Sequence, residues 1–183
     1  MNRNHLKCMA AGLMALAYTV PANALESSVG YAGFLLGGNI ASTSGSDGDT
    51  RPNIGLTLGG KISPEFGLGF YGGFSGQRSS GTFLGLPSGT STSMTILAGQ
   101  LNFFAGPLHL GAEAGAAISS WSGNISSVHA GDSTTDFVYG PQGGVDFQLV
   151  PNLSLGAELH YLITTADSGV NNLQALAALK VWM

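Results

Sequence analysis

An all-β fold, in the form of an eight-stranded antiparallel up-and-down transmembrane β-barrel, is what this 183-residue sequence predicts. Three observations predict it. Apolar side chains recur at every second position through eight segments, which is the period of an extended strand. The positions between them hold glycine and small uncharged residues, where a soluble sheet would carry charge. The connections between segments alternate short and long, which is the asymmetry of a bacterial outer-membrane barrel with tight turns on one rim and loops on the other.

Composition sets the same bounds. Only 9% of the residues are Asp, Glu, Lys or Arg, against about 25% in a soluble domain. Glycine, at 29 residues, is about twice its usual share. A formal net charge of −4 with no basic cluster gives no reason to expect nucleic acid as a partner.

Taken in order, the first element is an export signal. Arg3 and Lys7 supply a positive start, Cys8–Val20 is apolar, and Ala22-Asn23-Ala24 is a small-x-small cleavage site. Residues 1–24 are therefore expected to be a signal peptide and residues 25–183 the barrel domain. Removal of the signal would also remove Cys8, the chain's one cysteine, and with it disulfide, thiolate and cysteine-metal chemistry. The remainder has no run of 18 apolar residues, so a spanning helix is excluded.

The strands follow. "GYAGFLLGGNIA" alternates faintly; "NIGLTLGGKI" places Ile54, Leu56, Leu58 and Ile62 on one face, and "FGLGFYGGF" does the same with Phe66, Leu68, Phe70 and Phe74. "SMTILAGQLNFF" is again faint, whereas "PLHLGAEAGAAIS" runs Leu108, Leu110, Ala112, Ala114, Ala116, Ile118. "DFVYGPQGGVDFQL" aligns Phe137, Tyr139, Val145, Phe147 and Leu149, and "NLSLGAELHYLIT" aligns Leu153, Leu155, Ala157, Leu159, Tyr161 and Ile163. "NLQALAALKVWM" is rich in helix formers, but Leu173, Ala175, Ala177, Leu179, Val181 and Met183 keep the strand period. The short connections contain Pro64, Pro107 and Pro151, and the long ones are the Ser/Thr/Gly/Asp-rich stretches near 42–52, 78–93, 122–135 and 165–172.

Which face meets water is settled by charge. With faces set by the apolar residues alone, Lys61, Glu113, Asp146, Glu158 and Lys180 all fall on the opposite face. A Lys or Arg facing lipid at mid-bilayer costs about 2–4 kcal/mol, so the apolar face must look outward to hydrocarbon and the sparse polar face inward. Eight strands leave an interior that side chains can fill. The expected lumen charge cluster is Lys61, Glu113, Asp146, Glu158, His160 and Lys180, with His109 as a further donor. Glu158 and Lys180 should pair, since they lie within about two residues of one level on adjacent strands. Phe66, Phe103, Phe147 and Trp182 near the turns, and Phe74, Trp121, Phe137, Tyr139 and Tyr161 nearer the loops, form two expected aromatic girdles.

At "YGPQGGVDFQLVPNLSLGAELHYLIT", Tyr139 to Thr164, the chain resembles the small outer-membrane β-barrel superfamily that includes the OmpA-type transmembrane domain and the opacity-type porins. The resemblance implies an eight-stranded barrel, export through the periplasm and assembly by the outer-membrane insertion machinery. Such barrels usually end in an aromatic residue, whereas this sequence ends "LKVWM".

Other motifs carry little. "GLGFYG" fits G-x-G-x-x-G but lies within a strand with no helix after it. Asp47 and Asp49 lack a calcium-loop context, and the two N-x-S sequons, "NIS" and "NLS", have no meaning on a bacterial exterior. His160 near Glu158 suggests a lipid A-modifying hydrolase only weakly, because parity points His160 inward and Leu162, not serine, follows two residues on. No catalytic, cofactor or metal residues are therefore assigned, and no enzyme is expected. The functional expectation is a membrane scaffold in the cell outer membrane, among lipids and lipopolysaccharide, carrying four surface loops for envelope structure or an extracellular ligand. A narrow porin-like channel is the alternative, and an enzyme acting on lipid A the remote one.

Overall fold

The structure, a computed structural model, describes residues 30–42, 49–83, 86–125, 128–165 and 171–183. The signal segment and Asp47 lie outside them. Eight strands, β1 (Gly30–Ser42), β2 (Asp49–Lys61), β3 (Phe66–Phe83), β4 (Leu86–Ala105), β5 (Leu108–Ile125), β6 (Val128–Val150), β7 (Leu153–Thr164) and β8 (Asn171–Trp182), close into one antiparallel barrel in chain order. The seam pairs β1 with β8, from Tyr31 opposite Trp182 to Ser42 opposite Asn171. It is extended by reciprocal hydrogen bonds between Gly30 and Met183, 3.0 and 2.8 Å. Closure leaves no edge within the lipid zone, where an unpaired amide could find no water.

The turn rim is built by local chemistry. Ile62 donates to the Phe66 carbonyl at 2.8 Å, and the Ser63 hydroxyl accepts from the Phe66 amide at 3.1 Å. Gly106, in the turn between β4 and β5, takes φ 60°, which a residue with a Cβ reaches only at a cost. At the third turn the Trp182 amide donates to the Asn152 carbonyl at 2.9 Å.

The strands alternate as the period of two requires. In β8 burial switches at every residue from Asn172 to Met183. Leu56, Leu110 and Leu159 are 61%, 67% and 58% exposed on the outer wall, while Glu113, Asp146, Glu158 and Lys180 are 2–3% exposed inside. A belt of large apolar side chains on the outside of a closed sheet has lipid as its solvent.

Two features depart from the sequence reading. The stretches near 78–93 and 122–135, expected as loops, are strand over most of their length: β3 and β4 stay paired up to Phe83 opposite Leu86, and β5 and β6 up to Ile125 opposite Val128. Threonine favours extended backbone, and cross-strand pairing carries the serines and glycines along. Strands β3 to β6 thus run 18–23 residues against 12–13 for the other four, where about 9–11 suffice to cross a bilayer. β2 leaves β3 at Asn53 opposite Ser75, and β7 leaves β6 at Thr164 opposite Val138. A four-stranded sheet therefore rises above half of the barrel's circumference.

The second departure concerns the aromatics. Trp182 is 2% exposed and lies inside, packed on Tyr31 and Phe104, so it does not belong to the turn-side girdle. Its parity with Lys180, not its nearness to a turn, decides its face. Trp121 shares parity with Glu113 and Ala117 along a β5 whose register with both neighbours is unbroken. It stands on the inner face of the projecting sheet, exposed because it is above the mouth. Phe66, Phe103, Phe74, Phe137, Tyr139 and Tyr161 face outward and are exposed.

Candidate functional site in the barrel interior

The inward residues are stacked in layers. Nearest the turns is an aromatic floor: Tyr31, Phe104 and Trp182, with ring centroids 5.1–6.4 Å apart. Each polar end in it is bonded. The Trp182 indole donates to Ser154 Oγ at 2.9 Å, and Asn102 donates to the Tyr31 hydroxyl at 3.1 Å. Lys61 sits here, its Nζ 5.2 Å from the Phe104 ring and 5.6 Å from that of Trp182, a geometry in which a cation is attracted to the π face.

Above the floor is an ionic layer. Lys180 Nζ lies 2.9 Å from Asp146 Oδ2 and 2.7 Å from Glu158 Oε1. His109 contributes Nδ1 at 3.3 Å from Asp146 and Nε2 at 3.8 Å from Glu158. His160 bridges two carboxylates, Nδ1 to Glu113 Oε1 at 2.9 Å and Nε2 to Glu158 Oε2 at 3.0 Å. With a carboxylate oxygen on each ring nitrogen, His160 satisfies both only as a double donor. The chain runs on through Gln100, which donates to Glu113 at 3.4 Å and accepts from the Thr57 hydroxyl at 3.4 Å, and a parallel contact joins Gln142 to Asn102.

Glycine makes this packing achievable. A Cβ at Gly144 would lie 2.7 Å from His109 Cε1, and one at Gly59 would enter the Tyr31 ring. Each of these large rings uses space that a glycine on a nearby strand leaves.

Beyond the ionic layer the interior is partly apolar. Leu35, Ile96, Val138, Leu162, Leu176 and Met94 pack with Tyr71, whose ring lies 4.6 Å from His160. Tyr71 donates to Gln174 at 2.6 Å and accepts from Asn53 at 3.3 Å, and Asn39 donates to Ser75 at 3.2 Å.

Of the six residues proposed from sequence as a lumen cluster, Glu113, Asp146, Glu158, His160 and Lys180 are brought together here, while Lys61 is placed with the floor. Lys180 is opposite Ser154 and Glu158 opposite Leu176, so the two are offset by four residues rather than about two. The length of the lysine and the slant of the strands close the gap. Sequence reasoning missed the inward Leu35 and Ile96, because an aliphatic residue next to a leucine, as at Leu35–Leu36 and Ile96–Leu97, leaves the period of two ambiguous. It also left out the floor, for which the signal was available: Tyr31, Phe104 and Trp182 share parity with neighbouring polar positions.

Chemically the layer is a set of mutually neutralising ions. His160 has no lone pair left to activate a nucleophile, since both nitrogens face carboxylates. Among the described residues no group of His, Cys, Asp and Glu is arranged to hold a metal ion.

Comparison with known proteins agrees with this architecture. A family model described as an outer membrane protein beta-barrel domain matches residues 8–180. No curated protein matches the chain. Among solved structures, that of Ail, the attachment invasion locus protein of Yersinia pestis, aligns with a TM-score of 0.62 at 16% identity, covering 85% of this chain and 99% of that one. Another structure of that protein holds the heparin analogue sucrose octasulfate. Neisserial surface protein A aligns with a TM-score of 0.53 at 16% identity, over 84% and 97%. At such identity the likeness is one of fold.

Proposed function

The chain belongs to the outer membrane protein beta-barrel domain family and its place is the outer membrane; we propose that it acts there as a non-enzymatic scaffold that displays its projecting sheet and connections at the cell surface. The observation that carries this reading is the filled interior. Lys180, Asp146, Glu158, Glu113, His109 and His160 are all at most 4% exposed, the aromatic floor lies below them, and neither layer leaves an ion unaccompanied. A solute path needs a wider barrel or a breach of this layer.

Residues 1–24 would direct export through the periplasm, and the insertion machinery would assemble the strands into a leaflet of lipids and lipopolysaccharide. An extracellular ligand would be met by the projecting sheet, whose Ser, Thr, Gly and Asn surface suits hydrogen bonding to a polar partner.

Planar-bilayer recording tests the sealed interior. Wild type and Lys180→Ala should both lack steady unit conductance; reproducible channels whose size changes in Lys180→Ala would overturn the scaffold reading in favour of a narrow pore. The surface role is tested by deleting residues 79–90, which shortens the β3–β4 hairpin in register. Adherence of bacteria displaying the variant to epithelial monolayers should fall, and unchanged adherence would remove that role.

A further inference from the structure

Among the described residues the cations are Arg51, Lys61, Arg78 and Lys180. By strand alternation three of them are on the inner face. Arg78 is the exception: it shares parity with Phe66, Phe70 and Phe74 along β3, in a register with β4 that runs without a shift, and it is exposed on the outer wall. Its height follows from the strand. Four residues beyond Phe74 are about 13 Å of extended chain, or about 10 Å along the membrane normal at a tilt of about 40°. Phe74 belongs to the loop-side girdle, so the Arg78 guanidinium reaches the zone where headgroups lie, and its methylenes can bend back toward the apolar belt.

Two grooves meet at this arginine. The lower, about 410 Å³, opens at the notch where β2 parts from β3, between Pro52, Ile54 and Phe74. Gly76 carries nothing into it: a Cβ there would make ordinary contacts with the Phe74 ring, at 3.5 Å, and the Thr92 carbonyl oxygen, at 3.7 Å. The upper groove, about 390 Å³, is lined by Ser91, Ser122 and Asn124. On β6, the acids Asp132 and Asp136 alternate onto the inner face with Val138 and Asp146, turned away from the outer wall.

We propose that Arg78 and these grooves form a binding site for one anionic glycolipid of the surrounding leaflet: the guanidinium holds its phosphate, the lower groove one acyl chain, and the upper groove sugar hydroxyls. A guanidinium matches phosphate oxygens with two parallel N–H donors, and the apolar-to-polar order of the grooves is that of the amphiphile. The inference rests on the outer-membrane placement but not on the sealed interior, so conductance and lipid binding fail independently.

The test is native mass spectrometry of the full-length, detergent-solubilised protein titrated with bisphosphorylated lipid A, each variant first shown to be folded by its heat-modifiable gel mobility. Arg78→Gln should lower the singly bound fraction about tenfold and Arg78→Lys less. Gly76→Leu, which fills the lower groove and leaves the charge, should lower it several-fold. Inorganic phosphate at millimolar concentration should not compete. Equal binding by wild type and Arg78→Gln, or equal binding of dephosphorylated lipid A, would overturn the proposal. Displacement by inorganic phosphate together with unchanged binding in Gly76→Leu would make this a free-anion site and overturn it as well.

Discussion

Replacing Lys180 by Met removes a cation of nearly unchanged length from between two carboxylates. Asp146 loses a contact of 2.9 Å and Glu158 one of 2.7 Å, and both remain buried. Stranding one partner of a buried ion pair costs about 3–5 kcal/mol. His109, 3.3 and 3.8 Å from the same two carboxylates, can take up part of the load, which places the expected loss near 3 kcal/mol, at the lower end of that range. With a urea dependence of about 2 kcal/mol per molar, the unfolding midpoint of the protein in lipid vesicles should fall by about 1.5 M, read by tryptophan fluorescence and by loss of the heat-modifiable band. The companion variant Lys180→Met/Asp146→Asn/Glu158→Gln removes the stranded charges and should recover at least half of the loss. A loss below about 1 kcal/mol for the single variant, or no recovery in the triple, would refute the view that the ionic layer is held by mutual neutralisation.

Further outcomes follow from the same geometry. Leu159→Arg, on the outer wall of β7, should cost about 2–4 kcal/mol through the hydrocarbon it meets; a neutral result in the same urea assay would argue against a lipid-facing outer wall. Gly59→Val drives two branches into the Tyr31 ring and should cost about 1–3 kcal/mol by overpacking. Gly99→Ala, whose Cβ would meet only the Ala114 carbonyl oxygen at 3.9 Å, should stay within about 0.5 kcal/mol of wild type, and similar losses in the two would discount the close fit of glycines to rings. In Trp182→Phe, which leaves Trp121 as the reporter, aqueous acrylamide should quench the emission and brominated phosphatidylcholine should not; the reverse pattern would return Trp121 to the lipid-facing girdle.

Much of the barrel was legible because lipid and a narrow bore impose opposite demands on alternate residues, and a strand of the type seen at Leu153–Thr164 records both. The alternation fades where both faces are apolar. Leu35 and Ile96 point inward, and in their faintly alternating segments nothing local distinguishes them from their lipid-facing neighbours Leu36 and Leu97. Proximity within the lumen was less legible than sidedness. Lys180 and Glu158 contact one another across a four-residue offset because of barrel shear, a property of closure that no single strand encodes. The tall sheet was hidden for a different reason: Ser, Thr and Gly read as loop when each segment is taken alone, and become strand when a partner of equal length lies opposite.

The unequal heights of the strands leave two open margins. Above Gly76 on β3 and above Phe137 on β6, backbone donors and acceptors on one side face no neighbouring strand among the described residues, and an unpaired row of this kind can template the addition of a foreign chain. The residues along these margins, Gln77, Arg78, Ser79 and Ser80 on one side and Asp132, Ser133, Thr134 and Asp136 on the other, are polar, which disfavours such addition. Substitution of these positions by valine or isoleucine would turn a polar border into a nucleus for stacking between neighbouring molecules.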